Sequence, residues 1–281
     1  MKVAHVSFLL LLLFTVIPLR NVIADENVFA VQKQLLQQQL TSLEKNRNGT
    51  RDIYFIGFSP FSTEDVFMHE ASYVRTLFDM QFGTLNKSIL LVNNIKTLNI
   101  YPVASIENLA VTFKKIGSLI NPDEDIVVLY ISSHGSKGRG ISLNFEDSKY
   151  FPPGKKFLDA GTVRKLFDEN HIKWRVILML ACYSGGLIDT LKNENSLIIT
   201  SASADRPSFG CGHHGDFTQF GEAMFGENLA KTSDLITAFN LTRAEVEKEE
   251  KTMDLKPSNP QIYIGDKIAA IIHKIAETGG N

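Results

Sequence analysis

Five short runs of apolar, β-favouring residues recur along the chain, at 53–58, 88–92, 125–131, 174–181 and 196–200. None alternates with polar positions, as a strand with one wet face would. Segments with helical spacing fall between them, at 63–82, 104–120, 158–170 and 217–230, with a charged helix at 234–251. Strands buried on both faces and joined through helices pair in parallel, because the crossover needs the length of a helix. The pattern predicts an α/β fold, a three-layer α/β/α sandwich with a mostly parallel sheet. Residues 257–281 add one short strand and one helix, too little for a domain of their own. No internal repeat is visible.

The amino terminus follows different rules. Lys2 precedes an apolar run at 6–17 broken only by Ser7 and Thr15, and Val22-Ile23-Ala24 supplies a cleavage site. These are the three parts of a secretory signal peptide, with cleavage expected after Ala24. The run is short for a bilayer span of about 20 residues, so the mature chain is expected to start at Asp25, outside the cytosol and free of the membrane. A Gln-rich helix is predicted at 26–44, lying on the domain or serving as a pro-segment. A polar linker at 46–50 separates it from the main domain at 51–281. Lys+Arg 29 against Asp+Glu 31 gives a net charge of -2 with no basic block, which argues against a nucleic-acid surface.

In open α/β sheets the reactive groups gather beyond the carboxyl ends of the strands. The run 125–131 leads into Ser132-Ser133-His134-Gly135, and 174–181 leads into Cys182-Tyr183-Ser184-Gly185-Gly186. A histidine and a cysteine are thus expected at one edge of the sheet. Imidazole can take a thiol proton and return it to a leaving amine, while the thiolate attacks a carbonyl carbon. A helix opening near Ser184 would favour the thiolate. Gly135 lacks a side chain, so its N–H can approach an oxyanion, with the Cys182 N–H as second donor.

Three blocks carry a family resemblance. Tyr130-Ile131-Ser132-Ser133-His134-Gly135 and Met179-Leu180-Ala181-Cys182-Tyr183-Ser184-Gly185 resemble the two signature segments of legumain-type peptidases, the asparaginyl endopeptidases or haemoglobinases of caspase-like fold. The stretch from Thr200 to Cys211, with Gly215-Asp216-Phe217, resembles the loop beside that family's specificity pocket. Asp65-Val66-Phe67, Leu91-Val92-Asn93-Asn94 and Pro257-Ser258-Asn259-Pro260-Gln261 resemble the bacterial branch. The resemblance implies a cysteine endopeptidase with His134 as base and acid, Cys182 as nucleophile and Gly135 as oxyanion donor. Asp216 and Ser208 would line the specificity pocket. It implies protein or peptide substrates and no cofactor. Two departures matter: Leu180 stands where legumains carry a glutamate, and Met68 where they carry an arginine. A lone desolvated carboxylate at Asp216 would favour a hydrogen-bond donor or a cation before the scissile bond. The resemblance implies asparagine, which stands first; with the two family charges missing, arginine or lysine stands second, and aspartate only at acidic pH.

Other readings compete. Cys211-Gly212-His213-His214-Gly215-Asp216 could be read as a metal site, but the second ligand pair of a zinc site is missing, so no metal is expected. A nucleophile elbow needs glycine two residues before the nucleophile, where Leu180 stands. A catalytically silent caspase-fold binding protein is the alternative function, although it has no need of both His134 and Cys182. The two cysteines either pair with each other or at least one is kept for its chemistry. Oligomeric state is not legible.

Overall fold

The computed structural model describes residues 19–145, 156–212 and 215–278. Most of the leader expected over 1–24 therefore lies outside the described residues. Among them, no helix is long and apolar enough to cross a membrane.

The sheet has six strands: β1 (Ile53–Ser59), β2 (Ser88–Val92), β3 (Ile126–Ser132), β7 (Trp174–Leu180), β8 (Ser196–Thr200) and β9 (Gln261–Ile264). Their order is β2-β1-β3-β7-β8-β9; the first five are parallel, and β9 runs antiparallel to β8. The α/β sandwich with a mostly parallel sheet is as the apolar runs predict.

Successive side chains of a strand point to opposite faces, and β3 divides accordingly. Ile126, Val128 and Tyr130 enter one buried cluster, with Met68, Ala71, Val74 and Phe78 of α2 (Asp65–Gln81). The same cluster takes residues of α8 (Leu235–Thr252) and α9 (Asp266–Thr278). Val127, Leu129 and Ile131 enter the other, with Leu109 and Phe113 of α3 (Ile106–Gly117) and Phe167 of α4 (Ala160–Glu169). The α4 start is fixed by Asp159, which accepts from the Thr162 N–H at 2.8 Å, an N-cap that satisfies one orphan donor of the first turn.

Three features depart from the sequence pattern. A small antiparallel sheet of β4 (Gly135–Ser136), β5 (Gly140–Ser142) and β6 (Phe157–Leu158) follows β3. Strands this short leave no periodic signal. The helix expected at 217–230 is a composite of α6 (Gln219–Gly221), a π-helical stretch Glu222–Asn228 and α7 (Leu229–Thr232). The helix expected directly after Cys182 is brief: a 3-10 turn Ser184–Leu187, then α5 (Ile188–Leu191).

The Gln-rich helix, α1 (Leu19–Ser42), guards the β2 edge. Gln39 accepts from the Leu90 N–H at 3.0 Å and donates to its carbonyl at 3.3 Å, as a neighbouring strand would. Gln32, one heptad earlier, accepts from the Val103 N–H at 2.7 Å and donates to the carbonyls of Leu98 and Tyr101. Gln39 thereby occupies the backbone groups of Leu90 on an edge strand, where an unpaired edge invites other chains.

Candidate active site

The parallel register of β3 and β7 sets the site. Their final pair is Ser132 with Leu180, and His134 and Cys182 each follow two residues later. The Ser133 N–H donates to the Leu180 carbonyl at 3.1 Å, extending the pairing past the strand end. Gly135 then lies directly on the cysteine backbone. A Cβ at Gly135 would fall 1.9 Å from the Cys182 carbonyl oxygen and 2.9 Å from its carbon. Only glycine permits that approach.

Beyond Cys182 the chain turns sharply through Tyr183, whose φ of 61° is left-handed. Such a conformation costs energy at a non-glycine residue and persists only where its surroundings hold it. They do: the Tyr183 N–H donates to Arg206 O at 2.8 Å, and the Gly185 N–H to Ala202 O at 2.9 Å. A Cβ at Gly185 would meet Ala202, Ser203 and Ala204 backbone atoms at 2.9 Å. The cysteine turn and the loop after β8 thus pack backbone to backbone.

That loop supplies the surroundings of the thiol. The Ser208 N–H points at Cys182 Sγ at 3.4 Å, and the sulfur lies 3.6 Å from Ser208 O and 3.8 Å from its Oγ. Cys211 and Cys182 are both free thiols. The Cys211 thiol is pushed up to about 12, first by burial and then by the negative charges of Cys182, Glu70 and Glu64. It is a shielded thiol beside the site.

The His134 ring sits edge-on against Phe61 and Phe67, with centroids 4.6 Å and 5.1 Å away. Its Nε2 is 3.5 Å from Glu64 Oε1. Phe61 and Glu64 belong to the loop between β1 and α2, and the Asn93-Asn94 pair pins that loop. Asn93, fully buried, donates to Pro60 O at 3.1 Å and to Asn144 O at 3.3 Å. Asn94 donates to Asp65 Oδ1 at 2.9 Å, and Lys96 closes on the other Asp65 oxygen. Segments far from His134 in the chain, the two blocks around Asp65 and Asn93 among them, therefore frame the histidine.

Asp216 is placed otherwise than a desolvated pocket carboxylate. It is 81% exposed, and its Oδ1 lies 3.0 Å from Nδ1 of His69. The neighbouring Phe217 stacks edge-on with Tyr73 of α2 at 4.9 Å. Met68 and Leu180 are buried in one apolar cluster, so no charge replaces the two that legumains carry there. The buried carboxylate of the region is Glu70, which the sequence reading missed. It accepts from Tyr130 OH and Ser132 Oγ at 2.6 Å, and from the Thr218 N–H and Oγ1 at 2.9 and 2.7 Å. Burial holds its carboxyl above the usual range although all four donors favour the charged form. Glu70 ties α2 to the end of β3 and to the start of α6. A carboxylate inside the apolar stripe of Phe67, Ala71 and Val74 was its one sequence signal. Of the suggested metal ligands, His213 and His214 lie outside the described residues. Among the described residues no group of three or more His, Cys, Asp or Glu could hold a metal ion.

The chain is similar to solved caspases. Caspase-1 from Spodoptera frugiperda superposes with a TM-score of 0.48 at 12% identity, covering 79% of this chain and 89% of that one. For drICE the TM-score is 0.43 at 12% identity, covering 79% and 91%. A search of curated proteins finds no match. Residues 93–269 match a cysteine peptidase family, and the protein is a cysteine peptidase. The chain belongs to the peptidase C13 family, that of the legumains.

Proposed function

We propose that the protein is an exported endopeptidase in which His134 and Cys182 form the catalytic dyad. The observation that carries this reading is the juxtaposition of His134-Gly135 with Cys182 beyond the Ser132–Leu180 pair, so close that Gly135 admits no side chain. Cys182 passes its proton to His134, and the sulfur attacks the scissile carbonyl carbon. The oxyanion is taken by the N–H groups of Gly135 and Cys182. His134 returns the proton to the leaving amine, then draws one from the water that releases the acyl group. The Ser208 N–H aimed at Sγ supplies the kind of donor that a thiolate accepts.

Asparagine is the preferred residue before the scissile bond, with a basic residue second. Ser208 beside the thiol supports this pocket; the resemblance assigns Asp216 to it as the acceptor, and His69 anchors that carboxylate. Removal of the leader after Ala24 leaves Gln32 and Gln39, with their bonds to Val103 and to Leu90 of β2, on the mature chain.

Cys182→Ala and His134→Ala each abolish cleavage of a denatured proteome by the purified protein while leaving its circular dichroism unchanged, since the two act as a unit. Retained activity in Cys182→Ala would end this reading. Matched peptides carrying Asn, Arg or Asp rank the preference, and equal turnover of all three at neutral pH would remove Asp216 from the pocket. Amino-terminal sequencing of exported protein should begin at Asp25.

A further inference from the structure

The geometry points to Glu64 as the positioning residue of His134, a carboxylate that completes a Cys182–His134–Glu64 relay. This inference rests on the dyad proposed above. Glu64 Oε1 faces Nε2 at 3.5 Å, and its side chain is only 15% exposed. Its other oxygen accepts from Thr63 Oγ1 at 2.5 Å, so the carboxylate is held from both sides. The loop that carries it is fixed at Pro60 by Asn93 and at Asp65 by Asn94 and Lys96. Phe61 and Phe67 meet the ring edge-on and restrict its rotation.

A carboxylate at Nε2 selects the tautomer with hydrogen on that nitrogen and leaves Nδ1 as the base for the thiol. When the Cys182 proton moves to Nδ1, the ring gains a positive charge facing an anion shielded from bulk water. The same attraction weakens as Nδ1 hands its proton to the leaving amine. Glu64 itself takes no proton at any step. The other titratable groups around this corner are Cys182 beyond β7, Cys211 in the loop after β8 and Glu70 on α2; the Cys211 thiol feels the charges of Cys182, Glu70 and Glu64.

Glu64→Gln keeps the shape and the acceptor for Thr63 while removing the charge. We expect kcat to fall about 10- to 100-fold with KM unchanged, less than the roughly 100- to 10,000-fold that an acid–base group itself supplies, because Glu64 acts through His134. In a Cys182→Ala background, ring 15N NMR of neutral His134 should show hydrogen on Nε2, the nitrogen that faces Glu64, and Glu64→Ala should move that hydrogen toward Nδ1. A side chain that only braced the loop would leave the tautomer as it was. If Cys182→Ala is inactive but Glu64→Gln retains the wild-type kcat and the His134 tautomer is unchanged by Glu64→Ala, the role of Glu64 is refuted and the dyad stands. If Cys182→Ala remains active, the dyad falls and this inference with it.

Discussion

Replacing Gly135 by alanine adds one methyl group at the closest approach in the site. Its carbon would stand 1.9 Å from the Cys182 carbonyl oxygen, 2.9 Å from the carbonyl carbon and 3.2 Å from the Ala181 Cβ. The first two are backbone atoms and cannot swing aside. A tolerable carbon–oxygen contact is about 3.3 Å, so the histidine loop and the cysteine turn must part by about 1.4 Å. Neither can yield cheaply. The Ser133 N–H is bonded to Leu180 O, and Tyr183 and Gly185 are bonded to the loop after β8. A displacement of about 1 Å in a reacting pair costs about 100-fold in rate, or about 2.7 kcal/mol in the barrier. Forced overpacking should lower stability by about 1–3 kcal/mol as well. Steady-state kcat/KM on a peptide substrate measures the first effect and urea unfolding the second. A Gly135→Ala enzyme within about threefold of wild type would refute the reasoning, because the two segments could not then be in the contact on which the site depends.

Two further outcomes follow from the same geometry. Cys211, with its thiol raised to about 12, should resist iodoacetamide at neutral pH, so the folded protein takes up one equivalent and Cys182→Ala none; two equivalents would show that Cys211 is neither buried nor near a negative charge. Glu70, whose folded carboxyl is raised by burial, binds a proton more tightly folded than unfolded. Its contribution is fully present below the ordinary carboxylate range and is lost as pH rises through the folded value. Glu70→Gln should flatten that part of the Tm–pH curve, and an unchanged slope would rule out the raised value.

The strands were legible because burial on both faces demands uninterrupted apolar residues, as in Ile126 to Ile131 and Val176 to Leu180. The places of His134 and Cys182 were legible for a related reason: a parallel sheet aligns its carboxyl ends, so residues just past two adjacent strands become neighbours. The direction of β9 was not legible, since an apolar run pairs equally well either way. Nor were β4, β5 and β6, each too short to show a period. The sequence could offer Asp216 as a carboxylate near the site, but solvent exposure depends on what folds over a residue, and here little does. Glu64 carries no signal at all. Its place against His134 comes from a loop pinned by Asn93 and Asn94, contacts between segments distant in the chain. Local chemistry and periodicity thus determined the layers and the neighbourhood of His134 and Cys182. Long-range packing alone decided which groups surround the histidine and which carboxylate is buried, because both depend on distances that no sequence spacing encodes.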